Sequence, residues 1–128
     1  MGYMKALLLV LLVAVAPALY AQDLSGTYTG IIKADTPDDP QENNGTIVLK
    51  QDGEKLIVTV GPNSERQLPA SKVERNGDSL KFELAPPGDS TMRWRFEVTV
   101  KGGKMTGKVI TTRGDETLLV STLDFTKR

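Results

Sequence analysis

The sequence predicts an all-β fold: about eight strands in an antiparallel up-and-down meander, forming a small closed or partly open barrel after an N-terminal signal peptide. Three observations predict it. Past residue 22 no helical period is found, and short runs alternate apolar with polar residues instead. Glycine-containing pairs, Asp52-Gly53, Asn76-Gly77 and Gly102-Gly103, separate several of those runs, the mark of tight hairpins. One run, TMRWRFEVTV at 91–100, alternates without a break and carries the only Trp. Successive side chains of a strand point to opposite faces, so Met92, Trp94, Phe96, Val98 and Val100 share a buried face, and Arg93, Arg95, Glu97 and Thr99 a wet one.

The elements follow in order. The first run, 24–34, places Gly26, Tyr28, Gly30 and Ile32 on one face. A polar, acidic loop at 35–44 follows, and Pro37 and Pro40 keep it out of a central strand. The runs 46–50 and 55–60 bracket Asp52-Gly53 and set Ile47 and Leu49 against Leu56, Val58 and Val60. A weaker run at 66–74 contains Pro69 and reads as an edge or a bulge. Beyond Asn76-Gly77, residues 79–84 align Leu80, Phe82 and Leu84. The Trp94 strand follows, then 104–112 with Met105, Gly107 and Val109, and last 116–126 with Leu119, Ser121, Leu123 and Phe125. Short connections make sequential neighbours pair antiparallel, and closure removes exposed sheet edges.

The N-terminus is a separate matter. Lys5 precedes an apolar run from 6 to 18, and Ala21 precedes Gln22, the form of a secretory signal peptide cut after Ala21. The run is shorter than the ~20 residues of a membrane span. Residues 22–128 then form a single β-barrel domain, large enough for one modest core. Basic and acidic residues number 16 each, a balance with no electrostatic motive for nucleic acid or an anionic membrane. Neither Cys nor His is present, so the domain stands on packing and backbone pairing alone.

In a meander, alternate connections lie at opposite ends. The tight turns 52–53, 76–77 and 102–103 seal one end. The longer, Pro-containing connections 35–44, 61–65 and 85–90 gather at the other, joined there by the short Arg113-Gly114-Asp115 turn. The long-loop end is where a site is expected. The Trp94 strand enters from it, so Met92 and Trp94 lie near that mouth.

The residue types exclude several chemistries. Without His or Cys there is no His-assisted nucleophile, and the usual ligands of zinc and redox metals are missing. No Ser-Lys or paired-carboxylate signature stands out. The acidic residues of 35–44 do not follow the helix–loop–helix calcium pattern and read as a solvated loop. The expectation is a protein without catalytic residues, bound metal or cofactor, and not an enzyme.

Tyr28, Phe82, Trp94, Phe96 and Phe125 all fall on inward faces. An eight-stranded barrel is just wide enough for its own side chains, so these residues either fill the interior or line a cavity for an apolar ligand. The candidate ligand-binding residues are Tyr28, Asn63, Met92, Trp94 and Phe96: Tyr28 as a polar handle, Asn63 in the Gly61-Pro62-Asn63 loop, and the rest along the Trp94 strand. The expected partner is a small apolar molecule at the long-loop end. The alternative is a solid-core extracellular or envelope module that uses the same loops to contact a protein.

Two resemblances accompany these residues. The segments SGTYTG, IVLKQDGEKL, GPNSERQLP and LDFTKR resemble a group of small secreted bacterial all-β proteins to which no activity is attached. That resemblance implies a β fold and a secreted or periplasmic location. Gly26-Thr27-Tyr28, with Lys127-Arg128 at the other end, resembles the opening Gly-x-Trp strand and the facing basic residue of calycins, the lipocalin and avidin-like barrels, with Tyr in place of Trp. This second resemblance implies a ligand-binding barrel.

Overall fold

A computed structural model describes residues 23–34, 41–88 and 90–128. The expected signal peptide, the three aspartates of 35–40 and Asp89 lie outside those residues. Among the described residues there are strands and turns and no helix, and hence none long and apolar enough to cross a membrane.

Nine strands build one antiparallel sheet: β1 (Gly26–Ala34), β2 (Glu42–Asp52), β3 (Lys55–Gly61), β4 (Leu68–Pro69), β5 (Ser71–Asn76), β6 (Ser79–Leu84), β7 (Met92–Lys101), β8 (Lys104–Arg113) and β9 (Glu116–Lys127). Their order is β4-β3-β2-β1-β9-β8-β7-β6-β5, a nearly closed barrel. The first and last strands seal it, with Tyr28 opposite Lys127 and Ala34 opposite Ser121.

The strand expected at 66–74 is two strands here. β4 pairs with β3, whereas β5 pairs with β6 and carries a bulge between Ser71 and Glu74. Pro69 has no N–H for a ladder, and Lys72 adopts a left-handed φ of 52° at the bulge, which bends the chain from one partner to the other. The two edges are held across the break by Ala70 N–H donating to the Val58 carbonyl at 2.9 Å and Arg75 Nη1 donating to Gln51 Oε1 at 3.4 Å. The polar loop also differs: β2 begins at Glu42, so part of the expected loop is strand. Asn43 and Asn44 pair with Ile32 and Ile31 and leave a shorter connection.

The turns fall as their residues require. Gly102 and Gly103 adopt φ of 60° and 76°, values that a side chain disfavours, between strands joined from Lys101↔Lys104 upward. Together with the turns after Asp52 and Asn76 they close one end.

The alternation of the sequence is the inside and outside of the barrel. Ile47, Leu49, Val58, Leu80, Phe82, Phe96, Val98, Val100, Met105, Leu123 and Phe125 are buried in one core. Phe82 and Phe96 stack with centroids 4.8 Å apart and planes 12° from parallel. At the closed end Leu24 is buried beneath the barrel, and the Tyr28 hydroxyl donates to its carbonyl at 3.1 Å. Ser25 Oγ accepts from Gln51 N–H at 2.9 Å and ties the same segment to β2.

Candidate functional site: a cavity at the long-loop end

The inward residues do not fill the barrel throughout. A cavity of about 640 Å³ opens at the end where the connections 35–41, 62–67 and 85–91 emerge. That volume lies within the range of pockets that take small organic molecules, ~300–1,000 Å³.

Its wall is laid down by strand register. Leu84, Trp94, Thr111 and Leu119 sit in one row across β6, β7, β8 and β9. The next row is Phe82, Phe96, Val109, Ser121 and Ala34. All of these but Phe82 line the cavity, with Ile32, Val60 and Phe125. Phe96 and Phe125 are buried, whereas Trp94 is half-buried, packed against the core on one side and open to the cavity on the other.

Depth is made on β1 and β2 by missing side chains. Gly30 and Gly45 stand opposite each other, and both face Phe125. A Cβ on Gly45 would come within 2.8 Å of Phe125 Cζ, and one on Gly30 would collide with the Asp124 carbonyl and approach Phe125 Cδ1 to 2.8 Å. The Phe125 ring therefore lies across two side-chain-free positions and forms the floor. Glycines in strand interiors mark such close approaches.

The polar part of the lining is amide and hydroxyl: Gln41, Asn43, Asn44, Gln67, Thr111 and Ser121. Among the described residues Arg66 is the one formally charged residue in it. The loop that carries Arg66 is tightly arranged. Asn63 Oδ1 accepts from the N–H groups of Glu65 and Arg66 at 3.0 and 2.9 Å. Gln67 Nε2 donates to the carbonyls of Asn63 and Thr46 at 2.6 and 3.2 Å, which clamps the loop onto β2. Gln67 Oε1 is buried and, among the described residues, accepts no hydrogen bond.

The structure brings together two of the five candidate residues. Trp94 and Phe96 line the cavity. Met92, at the start of β7, is half-buried and not among the lining residues. Asn63 is exposed and shapes the rim loop through its hydrogen bonds without facing the cavity. Tyr28 is at the opposite, closed end: its phenol is held by the Leu24 carbonyl, and burial pushes its pKa up, with the charge of Asp23 adding to the effect. It anchors the barrel's base and is not a handle for a ligand in the cavity.

The lining residues missing from the sequence-based set are chiefly Leu84, Thr111, Leu119, Arg66 and Phe125. The first three share the inward face and the mouth end with Trp94, so alternation combined with strand direction could have found them. Arg66 and Gln67 carried no such signal, because their place depends on how the 61–67 loop folds back. Among the described residues no group of three or more His, Cys, Asp or Glu residues is placed to hold a metal ion. Comparison of the chain with protein-family models, curated proteins and solved structures finds no match.

Proposed function

We propose that the chain is a non-enzymatic binding barrel that takes a small, largely apolar molecule into the cavity at its long-loop end. The observation that carries this is the cavity itself: about 640 Å³, opening at one end and walled mainly by Trp94, Phe96, Phe125, Leu84, Val60 and Leu119. An inward-facing apolar surface left unfilled forfeits packing, and a ligand would restore it. In this reading the sealed end and the buried core supply a rigid frame, and the open end supplies the site. The domain would act outside the cytoplasm, in the periplasm or beyond, once residues 1–21 are removed.

Trp94 makes the proposal directly testable, since it is the sole Trp and forms part of the wall. Native mass spectrometry of residues 22–128 should show a retained small molecule, or uptake of an added one with one-to-one stoichiometry. Titration with apolar probes should shift Trp94 emission saturably. An unliganded mass together with unchanged emission across alkanols and aromatic probes would sink the binding reading and favour a protein-interaction module.

A further inference from the structure

The formal charge of the described lining residues is unbalanced. Among the described residues no Asp, Glu or Lys lines the cavity, and Arg66 does. The Arg66 side chain is exposed, and among the described residues its guanidinium takes part in none of the ion pairs, which are Lys33–Glu42, Lys72–Glu83 and Lys104–Asp124. Its backbone, by contrast, is fixed. Arg66 N–H is bonded to Asn63 Oδ1, the Asn63 carbonyl is bonded to Gln67 Nε2, and the same amide reaches the Thr46 carbonyl on β2. The Arg66 carbonyl also occupies the space where a side chain on Gly61 would stand, so the loop is folded hard against the end of β3. A cation on a loose surface loop is simply a solvated charge. Here the loop is clamped, and it holds at the rim of an apolar cavity a guanidinium that pairs with no carboxylate among the described residues.

We propose, on the premise that the cavity binds a ligand, that the ligand is an anionic amphiphile. Its apolar tail packs on Trp94, Phe96 and Phe125, and its carboxylate or phosphate head meets Arg66 at the rim. A guanidinium presents paired N–H donors that match either head, and such charge-assisted bonds are stronger than neutral ones. The amides of Asn43 and Asn44 are further polar groups in the lining. The opposite preference has a motive of its own. Residues 35–40, which join the lining residues Ala34 and Gln41, include three aspartates.

The test uses Trp94 emission of residues 22–128 with four probes that share one tail: dodecanoate, dodecyl phosphate, dodecanol and dodecyltrimethylammonium, each below its micelle-forming concentration. Dodecanoate or dodecyl phosphate should bind about five- to tenfold more tightly than dodecanol, the range of a partly solvated charge-assisted contact. Added salt should weaken the anions and leave dodecanol unaffected. Arg66→Gln should remove the preference while dodecanol binds as before, and the exposure of Arg66 makes this variant a mild one for folding. Stronger binding of the phosphate than of the carboxylate would identify the head as phosphate, and the reverse as carboxylate. Equal affinities for dodecanoate, dodecyl phosphate and dodecanol, an unaltered preference in Arg66→Gln, or tightest binding of the ammonium probe would overturn the head-group assignment while leaving the cavity as a binding site. Failure of all four probes to alter Trp94 would remove both.

Discussion

The edge of the Phe125 ring lies over Gly45, so close that a Cβ at that position would come within 2.8 Å of Cζ. The floor of the cavity and the glycine spacing of β2 are therefore one feature. Phe125 fills the closed half of the barrel because β1 and β2 carry no side chain where its ring must pass. A larger residue at either glycine would displace the ring toward the mouth or push the strands apart.

Gly30 and Gly45 should differ in their tolerance. A side chain on Gly45 meets the end of a ring, whereas one on Gly30 meets the backbone of β9 at Asp124. Gly45→Ala should cost about 1–2 kcal/mol, within the range of overpacking, and Gly30→Ala distinctly more. Equilibrium denaturation of the two variants checks the order. Equal costs would mean that ring and backbone yield alike.

Phe96 and Trp94 should separate packing from binding. Phe96 is buried and stacked on Phe82, so Phe96→Ala should destabilise by about 3–5 kcal/mol. Trp94 is half-buried against the same core, so Trp94→Ala should cost roughly half as much, about 1.5–2.5 kcal/mol. Urea unfolding followed by circular dichroism measures both. A Trp94 cost equal to that of Phe96 would show that the Trp is core and not wall.

Tyr28 ties stability to alkaline pH. Its buried phenol donates to Leu24, and its pKa lies above the ordinary value, first through burial and then through the charge of Asp23. Between the unfolded pKa, about 10, and the higher folded one, the unfolded chain releases a proton that the folded chain keeps. Stability from this group is thus complete below pH ~10 and is lost as pH rises through the folded pKa. Tyr28 is the sole tyrosine in residues 22–128, so phenolate absorbance there reports it alone. Tyr28→Phe should cost about 1 kcal/mol at neutral pH and remove the alkaline loss. A normal phenol titration would contradict the buried hydrogen bond.

Lys72 occupies a left-handed backbone position at the bulge that separates β4 from β5. Lys72→Gly should leave stability unchanged or raise it by up to about 1 kcal/mol, because relief of the strained φ outweighs an ion pair between the exposed Lys72 ammonium and half-buried Glu83 at 3.7 Å. Lys72→Val should destabilise by more than about 1 kcal/mol. Thermal melts of both variants decide it; a Val variant as stable as the parent would place the strain elsewhere.

Much of the barrel was legible because alternation is a local property. Once Met92, Trp94, Phe96, Val98 and Val100 share a face, their inward direction follows from strand geometry. The tight glycine turns then assign Met92 to one end and Val100 to the other. The division of 66–74 was half visible: Pro69 marks a defect, but nothing local says that Leu68 will pair with Val60 while Ser71 pairs with Glu83. The misplacement of Tyr28 has a similar origin. Alternation gave it the correct face, and only the segment crossing the base, with Leu24 buried beneath it, shows that its hydroxyl is already satisfied.

By itself the sequence determined the strands, their two faces and the sorting of loops to opposite ends, since each depends on a two-residue period and on turn residues a few positions apart. Tertiary structure alone decided the pairing of β1 with β9, the break between β4 and β5, and the division of the inward residues into a packed core and a cavity wall. Those outcomes depend on separations across the barrel. Whether Phe125 reaches Gly45, and whether Trp94 meets another side chain or open space, is fixed by register and curvature summed over all nine strands.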